Sequence, residues 1–300
     1  MRIIPLLLFI LLLCTQPVLA EEDIHPSSDT LPPTIKILGG IESKQGDWPW
    51  MTAILRSTVT NMYQAQFCAG VLIDKNWVLT AAHCVEDEST STINVAVGVF
   101  DLNTFSGGRI SVSSIRIHPD YDTNNIQNDI ALLQLSSPSS QQIISLFSGK
   151  STENVPPSLL GRMLTAMGWG EADSNTGLYF PEKLRQVNLP VVDNRFCDYP
   201  LPFTSSQLCA GYTTGKDACR GDSGGPVVHQ IDGVWVHTGL VSYGVSCDKS
   251  DGWYGVYTRT SAFVDFIKQY VPNAQFTSAG STPEGTKTAL SWLQLLLLSN

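Results

Sequence analysis

A chain of 300 residues that is 43% hydrophobic and 15% charged can bury a sizeable core, and its 7 Trp, 9 Tyr and 11 Phe set it apart from disordered segments. Lys and Arg number 18 against 27 Asp and Glu, for a formal charge of -9. That argues against DNA or RNA as the main partner, because neutralising phosphates needs a basic face. No run of about 18 apolar residues occurs, so no ordinary transmembrane helix is expected.

In chain order, Met1-Arg2, the apolar Ile3–Leu13 and the small residues up to Ala20 have the layout of a secretory signal peptide cleaved after Ala20. Short apolar or alternating runs follow, punctuated by Gly, Pro, Asn, Asp and Ser. They predict strands at Gly70–Ile73, Trp77–Thr80, Ile93–Val99, Arg109–Ile117 and Ile130–Leu135. Ser136–Leu160, rich in Ser, Gln and Pro, reads as a linker crossing between two β halves. Further strands are expected at Arg162–Gly168, Gly224–His229, Val234–Ser242 and Gly255–Thr258. One helix is expected at Ser261–Val271, where Ala262, Phe263, Phe266, Ile267 and Tyr270 recur at helical steps. Many short strands and one late helix make an all-β sandwich or a pair of barrels. The last stretch, residues 272–300, has small residues at Ser278–Ser281, a polar spacer and an apolar tail at Ala289–Leu298. It resembles a GPI-anchor signal, with attachment to a cell surface as the consequence; the alternatives are a short amphipathic tail on a soluble protein and a bacterial sorting tail, which the lack of a terminal Arg or Lys disfavours.

Cys14 would leave with the leader. The six others, Cys68, Cys84, Cys197, Cys209, Cys219 and Cys247, are an even set suited to an oxidising compartment. No C-x-x-C pair and no clustered His ligands accompany them, so no metal site is expected.

Three segments carry chemistry. Thr80-Ala81-Ala82-His83-Cys84 supplies a His. Asn128-Asp129-Ile130-Ala131-Leu132-Leu133 supplies a carboxylate at the start of an apolar strand, and Gly221-Asp222-Ser223-Gly224-Gly225-Pro226 supplies a Ser in a glycine-rich turn. A Ser hydroxyl is a weak nucleophile until a His takes its proton, and a carboxylate must orient that His and stabilise its charged form. Singly, each residue has a bland explanation as structural His, strand cap or tight turn. Together they point to acyl transfer.

With these segments the chain resembles the trypsin-like serine proteases of the chymotrypsin fold (peptidase family S1) over Ile37–Val271. The resemblance implies two antiparallel six-stranded β-barrels with a C-terminal helix and a site in the cleft between them. It implies Ser223 as nucleophile, His83 as general base and then acid, and Asp129 as the group that orients His83, with Ser242 positioning the carboxylate. It further implies an oxyanion hole from the N–H groups of Gly221 and Ser223. Ser242, Tyr243 and Gly244 would pair with the substrate backbone, and Ala218 and Gly255 would line its binding pocket. Implied disulfides are Cys68–Cys84, Cys197–Cys209 and Cys219–Cys247.

The same resemblance makes the protein a secreted zymogen cut after Lys36, with residues 21–36 as pro-segment and a freed Ile37 amine pairing with Asp222. An activating protease, protein inhibitors and protein substrates are then its partners. Asp217, six residues before Ser223, maps to the base of the pocket that selects Arg or Lys. Ala218 replaces a Ser found in many relatives, which predicts a preference for Arg, whose fork satisfies a carboxylate by itself. Leu164 and His229 stand where many relatives have a disulfide. Val99 and Arg109 fall in the region of an acidic calcium loop, so no calcium is expected, and no cofactor. Tyr254 stands where Tyr accompanies sodium-responsive relatives.

Two other classes fit the chain less well. Gly221-Asp222-Ser223-Gly224-Gly225 also fits the G-x-S-x-G elbow of α/β-hydrolases, but there the acid and the His follow the Ser, and here both precede it. A catalytically dead binding homologue usually lacks a triad member or the activation sequence, and His83, Asp129, Ser223, Asp222 and Ile37 are all present.

Overall fold

The apolar runs fold as β-strands that gather into two groups. The structure, a computed structural model, describes residues 40–149, 159–171, 179–197, 201–211, 218, 220–244 and 254–278. The leader and pro-segment, the tail beyond Ser278, the predicted activation pair Lys36 and Ile37, Asp217, Cys219 and Cys247 lie outside the described residues.

After β1 (Ile41–Glu42) come β2 (Met51–Arg56), β3 (Gln66–Asp74), β4 (Trp77–Thr80), β5 (Ile93–Val97), β6 (Ile110–Ile117) and β7 (Ala131–Leu135). The last six close into a barrel in the order β2-β3-β4-β7-β6-β5, each pairing antiparallel. Its strands differ in patterning for a physical reason. Along β6 exposed residues punctuate the strand, because one face meets solvent. In β3 every residue from Cys68 to Ile73 is buried. Strands covered on both faces lose alternation, and here the core continues past the barrel wall to Trp169, Leu240, Phe263 and Ile267.

The second group comprises β8 (Ser145–Phe147), β9 (Met163–Gly168), β10 (Arg185–Pro190), β11 (Gln207–Ala210), β12 (Pro226–Ile231), β13 (Val234–Tyr243), β14 (Gly255–Arg259) and β15 (Phe276–Thr277). With β1 they form a 9-stranded sheet along the path β1-β10-β9-β12-β13-β14-β11, with β8 added to β13 and β15 to β8 in parallel. One expectation is extended here and one corrected. Ser136–Leu160, expected to link two β halves, also contributes β8. The second half is also not a closed six-stranded barrel, because β10 and β11 meet only at the isolated bridge Val191↔Ala210. The reason is local. Asp193 accepts a hydrogen bond from the Arg195 N–H and opens a 3₁₀ turn at Asn194–Phe196, so the chain leaves β11 after Val192 N–H has bonded Cys209 O at 2.9 Å.

After the one-turn helix α1 (Met62–Ala65), the expected helix forms as α2 (Val264–Tyr270), entered through a 3₁₀ turn at Thr260–Phe263. Phe263, Phe266 and Ile267 are buried, and the His118 ring packs on both phenylalanines. Ala262, placed on the apolar face by its spacing, is exposed, since the chain is still in the 3₁₀ turn there.

Leu164 and His229, the pair standing in for a disulfide, are both buried. His229 Nδ1 lies 2.6 Å from Thr238 Oγ1, and the ring meets the Phe147 ring edge-on. His237 on β13 reaches Thr260 Oγ1 at 3.1 Å. Burial, with Arg162 nearby, pushes the His229 imidazole down to about 4. Burial pushes His237 down to about 3, opposed by the Gly239 backbone carbonyl, which favours a protonated ring as its acceptor. Both are neutral in the folded chain while the unfolded chain protonates them near pH 6.5, so stability falls as pH drops below that value. At about pH 5 the two sites together remove about 4 kcal/mol, at ~1.4 kcal/mol per pH unit per site. Urea unfolding at the two pH values should show this loss, and His229→Leu should remove about half of it; an unchanged pH difference in the variant would exclude the assignment.

Candidate active site

Strand register brings the His and the Asp together. β4 and β7 are antiparallel with Thr80 opposite Ala131, so residues after Thr80 and residues before Ala131 leave the barrel at the same edge. His83, in the 3₁₀ turn Ala82–Cys84, and Asp129 both follow from that geometry. His83 Nδ1 lies 2.8 Å from Asp129 Oδ2, and the His83 backbone N–H donates to Oδ1 at 2.9 Å. A disulfide from Cys84 to Cys68 ties the turn to β3.

Asp129 is 1% exposed, so its charge needs full hydrogen bonding. The second sheet completes the set: Ser242 Oγ donates to Oδ2 at 2.5 Å, and Thr258 Oγ1 donates to the Asp129 carbonyl at 2.8 Å. Ser242 reaches inward because it is the extra residue of a bulge, where pairing passes from Val241↔Tyr257 to Tyr243↔Val256. Bulges commonly re-aim a side chain in this way. The approach to Asp129 is made through Asn128 at φ 54, a residue type that tolerates the left-handed region. Its side chain anchors the turn by donating to Asp120 O at 2.8 Å.

Ser223 sits at half burial in the turn before β12. Its carbonyl accepts from Ala69 N–H at 2.8 Å, and Gly224 N–H donates to Val241 O at 2.8 Å. Gly224 has φ +74, and a Cβ there would collide with Thr80 Oγ1 and the Ala69 carbonyl. The turn is thus pressed onto the end of β4 by a position that only glycine fills. The Ser223 side chain makes no hydrogen bond among the described residues. Neither do the N–H groups of Gly221 and Ser223. Gly221 carries φ +95, and its carbonyl is held by Gln66 Nε2 at 3.0 Å.

Asp222 points away from this surface and is 1% exposed. Gly170 N–H donates to its Oδ1 at 2.7 Å, and Glu171 N–H donates to Arg220 O at 2.7 Å. A Cβ at Gly168 or Gly170 would run into the Asp222 carboxylate, so the glycines flanking Trp169 form its cradle. Beside Gly221 lies a cavity of about 340 Å³ walled by Tyr63, Phe67, Trp169, Phe180, Pro181 and Arg220.

Of the other predicted site residues, Ala218 is half-buried, Tyr243 ends β13 at half burial, and Gly244 is exposed beyond it. Gly255 is buried, and Tyr254 packs on Phe196 at 5.5 Å between ring centroids. The bridges Cys68–Cys84 and Cys197–Cys209 are formed. Among the described residues, the one cluster of metal-ligating atom types is Cys68, His83 and Cys84; its sulfurs are bonded to each other, so no thiolate remains for an ion. Thr258, Gln66 and Gly170 were not anticipated, since no local pattern marks a residue whose partner lies far along the chain.

Burial opposes charge on His83, but the hydrogen bond and charge of Asp129, aided by Glu86, outweigh it and raise the imidazole above its ordinary range. A base must be neutral to accept a proton. The acid limb of kcat/KM is therefore expected at a midpoint above about 6.5. Glu86→Gln should move that midpoint down; a profile unmoved by the substitution would show that Glu86 does not act on His83.

A family model described as Trypsin matches residues 37–267 of the chain. A tryptase from Mus musculus is 33% identical over 276 residues, covering 87% of this chain and 98% of that protein. Vitamin K-dependent protein C from Rattus norvegicus is 33% identical over 269 residues, covering 84% of this chain and 55% of that protein.

Proposed function

The chain belongs to the trypsin family of serine endopeptidases, and we propose that it is a secreted zymogen which, once cut after Lys36, hydrolyses peptide bonds following Arg or Lys through Ser223, His83 and Asp129. The supporting observation is the buried Asp129 carboxylate, which accepts from the His83 backbone N–H, His83 Nδ1 and Ser242 Oγ. A carboxylate so engaged keeps the proton on Nδ1 and leaves Nε2 as the base.

In this mechanism His83 Nε2 takes the Ser223 proton as Oγ bonds to the scissile carbonyl carbon. The oxyanion formed accepts hydrogen bonds from the N–H groups of Gly221 and Ser223. His83 then passes the proton to the leaving amine, the C–N bond breaks, and an acyl-enzyme remains. A water activated by His83 releases the acid product and restores Ser223. The edge of β13 from Ser242 to Gly244 aligns the substrate backbone as an added strand. Two disulfides among the described residues favour an oxidising, extracellular setting.

Activation follows from Asp222. Asp222 is buried, and the Ile37 amine freed by cleavage would set an opposite charge against its carboxylate, ordering the segment that carries the oxyanion donors. The test is to cleave the purified chain after Lys36, titrate it with an active-site serine reagent and follow an Arg-peptide amide. A burst near one per molecule with Arg turnover, both absent before cleavage, is the expected result. No burst after clean processing would overturn the reading.

Asp217 at the pocket base selects a cation, and Ala218 gives a bound Lys no hydroxyl to complete its hydrogen bonds. An Arg fork needs no such help. Matched peptide amides are accordingly expected to show a higher kcat/KM after Arg than after Lys. Equal values would remove the role given to Ala218.

A further inference from the structure

The chain is gripped three residues beyond Ile37. The Gly40 carbonyl accepts a hydrogen bond from Arg185 Nη2 at 3.1 Å. Immediately after it, Glu42 of β1 pairs with Arg185 of β10, and Ser43 N–H donates to Leu184 O at 2.9 Å. On its other side Arg185 lies opposite Gly168 of β9. Residues directly opposite on neighbouring strands project to the same face, and a Cβ on Gly168 would meet the Asp222 carboxylate. The Arg185 side chain and the buried Asp222 thus share one face of the sheet.

The distances fit a short tether. From β1 across β10 to β9 is two strand spacings, about 10 Å. Three extended residues span at most about 10–11 Å, so the chain from Gly40 back to Ile37 is only just long enough. It also contains Gly39-Gly40, the two residues that lose most conformational freedom on ordering. Slack at Gly40 would draw the amine away from its carboxylate. Other side-chain contacts join the two segments: Lys183–Glu42 at 3.3 Å, with both side chains 48% exposed, is of a kind that holds little, while Ser43 Oγ and Trp48 Nε1 donate to Gln186 Oε1 at 3.1 and 2.9 Å, further along the chain from Gly40. Arg185 is half-buried; burial lowers its guanidinium, opposed by the charges of Glu42 and Tyr179. A guanidinium stays charged and directional in such a place.

We propose that Arg185 is the latch of activation: a positioning residue that pins the Gly40 carbonyl and so sets the freed Ile37 amine against Asp222. This rests on the assignment of Ile37 and Asp222 as the activating pair.

The test uses the full chain carrying Arg185→Gln or Arg185→Lys, each cleaved after Lys36 and normalised by active-site titration. Two quantities are read: the rate at which cyanate carbamylates the Ile37 amine, followed by mass spectrometry, and the alkaline midpoint of kcat/KM. A free α-amine titrates near 7.7–8.0, and pairing with a carboxylate raises that value, so a loosened tether lowers it again. In Arg185→Gln, carbamylation is expected to quicken about 10-fold and the alkaline midpoint to fall by about one pH unit. Arg185→Lys, which keeps the charge but loses the fork, should lie between that variant and the parent, and it decides the question if the Gln variant does not fold. Rates and midpoints equal to the parent's in the variant that folds would overturn the latch. If the parent's own amine reacts as fast as a free peptide's, the Ile37–Asp222 pairing fails instead, and the latch with it.

Discussion

An Asp129→Asn variant is expected to lose about 10⁴-fold in kcat, with KM close to the parent's. Both carboxylate oxygens are occupied as acceptors: Oδ1 by the His83 backbone N–H, and Oδ2 by His83 Nδ1 and Ser242 Oγ. An amide cannot satisfy that set in either orientation. With its NH₂ at the Oδ2 position it must donate to His83 Nδ1, which moves the imidazole proton to Nε2 and leaves no base for Ser223. With NH₂ at Oδ1 it opposes the His83 N–H, donor against donor, at a position buried from solvent. Substrate contacts are untouched in both cases, so binding should survive. Burst titration separates the two effects: the acylation rate should collapse while inhibitor binding persists. A loss of less than about 10-fold would mean that His83 does not depend on Asp129 for its tautomer.

Asp222→Asn is expected to remain at precursor-level activity after cleavage, at least about 10³-fold below the cleaved parent, because the oxyanion donors stay unformed. The amide could keep the bond from Gly170 N–H, now made to Asp222 Oδ1 at 2.7 Å. It could not balance an ammonium. A buried cation without its counter-charge is strongly disfavoured, so the Ile37 amine would remain outside, and the segment from Arg220 to Ser223 would lose its anchor. Comparing burst amplitude in the cleaved variant, the cleaved parent and the uncleaved parent reads this directly. A full burst in the cleaved variant would show that the oxyanion donors form without the pair.

Much of the site was legible because its residue types are tied to local motifs. Thr80–Cys84, Asn128–Leu133 and Gly221–Pro226 each announce one chemical role, and the hydrophobic pattern located β3, β4, β6, β7, β9 and β13 within a few residues. The runs that became β10 and β11 carry Arg185, Gln186, Asn188 and Gln207 among their apolar residues, which hides a strand whose polar side chains find partners inside the fold. Gln207 is such a case: it is buried and bonds to Ile126 O and to Tyr243.

What the amino-acid sequence determined by itself was the chemistry on offer: which side chains could act, the family they mark, and a mostly β chain ending in a helix. Tertiary structure alone decided how those groups are held. The β4–β7 register sets His83 on Asp129, the bulge at Ser242 and the Thr258 hydroxyl hold Asp129 from the second sheet, the glycines around Trp169 bury Asp222, and Arg185 grips Gly40. It also decided that the second sheet stays open where β10 leaves β11. The physical reason is range. Side-chain chemistry and periodicity are properties of a few adjacent residues, whereas register, bulges and buried hydrogen bonds join positions such as 129 with 242 and 258, which come together only after the strands between them have paired.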